Sequence, residues 1–321
     1  MIKLALPKFG QKKEFPDQFF ALDLGGKINK VFLLDYSGGT VNSLNSRKVP
    51  VSEDLKAVVE ELRFDFPEAE PLAVVGVSGP YTTSFTTVVR SATTKVVRDL
   101  ADHARALAAD SARDELRESL GEPKLAVSEL EAEILEVKEA DKMEVYIFTS
   151  FAAAPYLAEK EQLVKEAGLS LWGFSSIPFN LVTELSKQTP TDEELNALII
   201  DIGGSKTELS LSFGGQLMET KSFFWDFTDN GNPAAFLDLW LESVSAALST
   251  FEGVDVFPAK IFLAGGAAAF PGLLEVFSSY PWSRDHPFEV APEVMTLEED
   301  RIPLSLGQVA RRVREEPEDQ E

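Results

Sequence analysis

The chain has 321 residues, 44% apolar and 26% charged, which is the composition of a folded protein with two or three cores of ordinary size. Its 30 basic and 53 acidic residues leave a net charge of −23, a field that repels polyanions and argues against nucleic acid as a partner. There is no Cys, and the two His, His103 and His286, lie far apart, so disulfides, thiolate zinc sites and thiol nucleophiles are excluded and a structural metal centre is not expected. The lack of Cys fits a reducing cytoplasm.

No apolar run reaches the roughly 20 residues that span a bilayer. The opening MIKLALPKFGQKK scatters Lys3, Lys8, Lys12 and Lys13 among a few apolar residues and has no stretch of signal-peptide length. Residues 1–17 therefore read as a flexible leader.

Phe19 to Asp35 reads as strand, Gly-Gly turn and strand, and a second Gly-Gly at Gly38 and Gly39 precedes a strand from Thr40 to Leu44. Ser52 caps a predicted helix to about Arg63, with Leu55, Val58, Val59 and Leu62 on one face. Strands follow at Leu72 to Ser78 and Thr83 to Arg90, then a long helix from Thr94 to Leu120 with Val97, Leu100, Ala104, Leu107 and Ala108 inward. Leu125 to Lys138 alternates acidic and apolar residues as an edge strand does, and Glu144 to Thr149 adds another. The acidic pattern from Glu129 to Asp141 reads as a solvated strand face.

The pattern then changes to helix Ala154 to Ala167, strand Ser170 to Phe174 and helix Pro178 to Lys187, with Trp172, Phe174 and Phe179 expected in the core. Thr189-Pro190-Thr191-Asp192 marks a linker. After it, strand Ala197 to Asp201, a Gly-Gly turn, strand Leu209 to Phe213, Gly214-Gly215 and strand Gln216 to Trp225 repeat the opening. Asn230-Gly-Asn-Pro opens a helix to about Phe251, with Phe236, Leu239, Trp240, Val244 and Leu248 inward. Lys260 to Ala264 is a strand leading through Gly265-Gly266 into a helix that ends near Tyr280. A short apolar segment at Ile302 to Arg312 precedes an acidic tail, residues 315–321.

The two copies, ALDLGGKINKVFLLDYSGG and LIIDIGGSKTELSLSFGG, share a strand, a terminal Asp, two glycines, a second strand and a Gly-Gly hairpin. Glycines let backbone N–H groups approach a phosphate, and an adjacent Asp can orient a water bound to Mg²⁺. Two facing copies would clamp one polyphosphate.

This order of motifs resembles the actin, Hsp70 and sugar-kinase superfamily, and within it the PilM family of type IV pilus assembly. The resemblance is carried by ALDLGGKINKVFLLD, EQLVKEAGLSLWGFSSIPFNLVTEL, ALIIDIGGSKTELSL and KIFLAGGAAAFPGLLEVF. It implies a two-lobed actin-like α/β fold, a duplicated ribonuclease H-like unit, with residues 18–50, 150–190 and 302–314 in lobe 1 and 191–301 in lobe 2. Residues 51–149 would be an inserted SHS2/1C-like subdomain, as in the division protein FtsA, and subdomain 2B would be reduced.

The resemblance also implies a site. Asp23, Gly25, Gly26 and Lys30 would form the first phosphate turn, Asp201, Gly203, Gly204 and Ser205 the second, and Gly265, Gly266 and Ala267 would face an adenosine. ATP and Mg²⁺ are the implied cofactors, the metal held through water by Asp23 and Asp201. Three features depart from the family. Gly26 stands where a hydroxyl residue is usual, followed by the bulky Lys27; Ile177 replaces a Glu suited to orienting an attacking water; and only one long helix fits between the second hairpin and the adenosine strand. No catalytic residue is assigned.

The implied function is a cytoplasmic scaffold, peripheral to the membrane through its partner, that binds the cytoplasmic tail of a PilN-like membrane protein and binds ATP weakly. Self-association is a second implied partner mode. The alternatives are a nucleotide-regulated ATPase resembling FtsA and, with no catalytic carboxylate to support it, a small-molecule kinase of the superfamily.

Overall fold

The computed structural model describes residues 15–91, 97–139, 143–190, 193–227 and 233–315. The expected leader up to residue 14, the Thr191-Asp192 half of the linker, the turn around Asn230 and the tail beyond residue 315 lie outside these residues. So do the first residues expected in the long helix, from Thr94.

The first half runs β1 Gln18–Leu24, β2 Ile28–Asp35, β3 Asn42–Pro50, α1 Leu55–Phe64, β4 Leu72–Val77, β5 Thr82–Ser91, α2 Val97–Ser119, β6 Val127–Glu139, β7 Met143–Ala153, α3 Ala154–Glu166, β8 Ser170–Ser176 and α4 Ile177–Gln188. The second runs β9 Ala197–Ile202, β10 Lys206–Phe213, β11 Gln216–Phe224, α5 Pro233–Leu248, β12 Lys260–Ala264, α6 Leu273–Ser279, α7 Trp282–Asp285, β13 Glu293–Thr296, α8 Arg301–Ser305 and α9 Gly307–Glu315.

Duplication is visible in the sheets. One sheet has the order β3-β2-β1-β4-β8, antiparallel among its first three strands and parallel from β1 to β4 to β8. The other contains β11-β10-β9-β12-β13, the same order with the same directions. It then continues past β11 into β5, β7 and β6, and the β11–β5 junction is a single paired position, Glu219 with Phe85.

The near-continuous apolar runs of β1, β2 and β4 follow from burial on both faces. Phe19, Ala21, Phe32, Leu34 and Val74 face α4, α8 and α9, whereas Phe20, Leu22, Val31, Leu33 and Val75 face α1 and α3. In the second lobe Leu198, Ile200 and Leu209 face Trp240 of α5, Phe277 of α6 and Trp282 of α7. Ala197 and Ile199, on the opposite face of β9, join the same core as Phe179 and Leu181 of α4. One core therefore spans both lobes, with α4 between the sheets. Ser176 caps α4 by accepting the Phe179 N–H, and Pro178 in its first turn sets the backbone for the helix.

Several expectations need correction. Residues 15–17 belong to the first lobe rather than to a leader, since Phe15 is buried and Arg314 donates to its carbonyl and to Asp17, and residues 51–77 belong to that lobe rather than to the inserted unit, since β4 pairs between β1 and β8 with α1 packed on the same sheet. Asp54, not Ser52, caps α1, accepting the Lys56 N–H at 3.0 Å. Leu107 and Leu239 are 49% and 56% exposed, so the inward stripes of α2 and α5 are narrower than expected. β6 is not simply solvated, because Glu131 is buried. Strand β13 and helix α7 went unforeseen: four residues with exposed ends carry too little alternation to read as a strand, and α7 is a single turn. The Ile302–Arg312 segment is two helices, α8 and α9. Phe179 is buried as expected, with Trp172 and Phe174 half-buried at the edges of the first lobe's two cores.

Candidate functional site

Each Asp-Gly-Gly turn is placed by the register of its hairpin. Asp23 at the end of β1 pairs directly with Lys30 of β2, and Lys30 Nζ lies 3.5 Å from Asp23 Oδ2 and 3.8 Å from Glu299 Oε1. Asp201 at the end of β9 is opposite Glu208 of β10. Two carboxyls facing across a ladder repel when both are charged. Burial pushes both above the ordinary carboxyl range, Glu208 to about 8.

The turns meet at one cleft of about 460 Å³. It is lined by Asp23, Gly25, Gly26 and Lys30 from the first turn, by Asp201, Gly203, Gly204 and Ser205 from the second, and by Gly266 and Ala267. Gly265 is set back from the lining. Its φ is +89°, and a side chain there would collide with Asp201 Oδ1 and with the Ile202 carbonyl, so glycine is required. The cleft also contains Lys206, Phe227, Phe270 and Glu299, which the sequence reading did not place there. Glu299 comes from the loop after β13. Its sequence neighbours, Glu298 and Asp300, read only as a charged run.

Ion pairs and hydrogen bonds join the lobes around this cleft. Lys48 Nζ of β3 reaches Glu299 Oε2 at 2.8 Å and Asp300 Oδ1 at 2.7 Å. Lys206 Nζ donates to the Ser78 carbonyl at 3.2 Å and to the Ser78 hydroxyl. Glu208 Oε1 accepts the Gly79 N–H at 2.8 Å, while Glu208 Oε2 is buried with no hydrogen-bond partner. Ile177 lies buried against Gly76 and brings no carboxylate to this place.

As arranged, the residues do not fit a magnesium polyphosphate. A Cβ at Gly26 would strike Ser205 Oγ, and one at Gly204 would come within 3.2 to 3.3 Å of the Lys27 stem, so the two glycine turns lie against each other. Among the described residues no cluster of three or more His, Asp or Glu is placed to hold a metal ion.

No family model matches the chain, and no curated protein matches its sequence. Among solved structures, a chain of a PilM-PilN type IV pilus biogenesis complex is similar over 94% of this chain and 100% of its own, at 16% identity and a TM-score of 0.63. More distant likenesses include a Bacteroides thetaiotaomicron protein with an actin-like ATPase fold (10% identity, 91% and 96% covered, TM-score 0.48). Another is the cytoplasmic domain of EpsL, an inner membrane component of the Vibrio cholerae type II secretion system (13%, 92% and 95%, 0.40).

The duplicated sheet order and the paired turns define the class: this is a two-lobed protein of the actin-like fold. Its fold is that of the PilM-PilN complex chain, matched along that chain's whole length, as the sequence motifs led one to expect. Among the described residues no helix is long and apolar enough to cross a membrane.

Proposed function

We propose that this chain is a PilM-like scaffold in type IV pilus or related secretion-system assembly. It holds the cytoplasmic tail of a PilN-like membrane protein, and through that partner it sits at the inner face of the cell membrane. The observation that carries this reading is the likeness to the PilM-PilN complex chain over its full length.

The place for the partner is the seam between the inserted unit, read here as SHS2/1C-like, and the first lobe. Both elements at this seam, β6 and β8, end their sheets, so each offers an edge. An extended peptide adds to such an edge by backbone hydrogen bonds, with alternate side chains giving specificity.

Asp23, Gly25, Gly26, Lys30, Asp201, Gly203, Gly204, Ser205, Gly265, Gly266 and Ala267 are read as a degenerate nucleotide site that binds ATP weakly or not at all. The contact between its two turns supports this reading.

Isothermal titration of the full chain with the cytoplasmic N-terminal peptide of the membrane protein encoded beside it tests the assignment. Saturable binding supports it; no binding at millimolar peptide rejects it. Mg-ATP binding with phosphate release in place of peptide binding supports the FtsA-like alternative.

A further inference from the structure

Lys27 follows the glycines of the first turn and lines the cleft where the two turns meet. Its carbonyl accepts the Val51 N–H at 3.0 Å, which fixes the backbone at the end of the first turn. Its methylene stem lies over Gly204 of the second turn, so that a Cβ added there would come within 3.2 to 3.3 Å of it. Its ammonium reaches Asp226 at 2.5 Å. The backbone on either side of Asp226 is bonded to the second turn, since the Trp225 N–H donates to the Ser205 carbonyl and the Phe227 N–H to the Gly204 carbonyl, both at 3.1 Å. One side chain of the first lobe thus crosses the second turn and ends on the segment that supports it.

The Lys27–Asp226 pair is itself partly exposed, at 34% and 59% of the two side chains, and pairs of this kind contribute no more than about 1 kcal/mol. The effect of Lys27 is therefore mainly steric. Deeper links, Lys206 to Ser78 and Glu208 to the Gly79 N–H, also cross between the lobes and do not involve Lys27. Shortening Lys27 clears the gap and leaves the lobes joined.

The geometry points to Lys27 as the residue that decides what the cleft admits: it fills the passage between the turns and excludes a polyphosphate. This inference stands apart from the peptide-binding reading, and its test does not involve the peptide.

Calorimetric titration of the full chain with Mg-ATP, and separately with pyrophosphate, compares the wild type with Lys27→Gly, Lys27→Met and Asp226→Ala. The wild type and Lys27→Met, which keeps the stem and loses the charge, are expected to show no saturable binding at millimolar ligand. Lys27→Gly is expected to bind pyrophosphate at least tenfold more tightly than the wild type. Asp226→Ala, which leaves the first turn untouched and frees the ammonium, is expected to shift in the same direction by less. Wild-type binding that Lys27→Gly or Lys27→Met weakens would make Lys27 a phosphate ligand and overturn the inference. Equal affinity, or equal absence of binding, in the wild type, Lys27→Gly and Asp226→Ala also overturns it.

Discussion

Arg312 of α9 donates to the Glu131 carboxylate of β6 at 3.0 Å, a contact that ties the last helix to the edge strand of the inserted unit. Glu131 also accepts the Ser175 hydroxyl at 2.6 Å and the Ser176 N–H at 2.9 Å, and Arg312 donates to Asn180 Oδ1 at 2.8 Å. The side chains are only 13% and 7% exposed, so the pair is held largely away from water. Arg312→Ala should destabilise the chain by roughly 3–5 kcal/mol, the usual cost of leaving one partner of a buried pair alone. Urea denaturation checks this. The double variant Arg312→Met with Glu131→Gln should recover much of the loss.

This contact also marks the limit of what the sequence reveals. In VSELEAEILEVKE the alternation places Glu129, Glu131 and Glu133 on one face, which local pattern alone reads as solvated. Glu131 is buried because Arg312, 181 residues away, and the end of β8 close over it. The Asp-Gly-Gly turns were legible because a strand period, a terminal Asp and two glycines are local features, and they occur twice. Glu208 was not, since its burial depends on Gly79 in the other lobe. Nor was the contact between Gly26 and Ser205, which depends on how the two lobes meet.

Glu208 sets a pH dependence. Burial raises its folded-state pKa from 4.5 to about 8, so between these values the folded chain keeps a proton that the unfolded chain has lost. Stability from this group is therefore full below about pH 4.5 and falls as pH rises to about 8. Asp201, shifted in the same direction, adds to the trend. Chemical denaturation from pH 5 to 8 should show falling stability in the wild type. In Glu208→Gln, whose amide oxygen can still accept the Gly79 N–H, the fall should be smaller by about a few kcal/mol, at 1.36 kcal/mol per pKa unit.

Gly265→Ala tests the turn after β12. The residue has φ +89°, and an added Cβ meets Asp201 Oδ1 and the Ile202 carbonyl. Strain of this kind costs roughly 1–3 kcal/mol. A lower thermal midpoint is expected for Gly265→Ala, while Gly253→Ala, at φ +68° in open space, should lose less.

In the function proposed for it, the chain holds a partner at the β6–β8 seam and does not turn over nucleotide in the cleft. Amide hydrogen exchange on the full chain, with and without the cytoplasmic N-terminal peptide of the neighbouring membrane protein, tests it most directly. Slower exchange is expected in β6, Val127–Glu139, and at the seam with β8, with no change at Gly25, Gly26, Gly203 or Gly204. Protection confined to those turns, or no protection in β6 at saturating peptide, would contradict it.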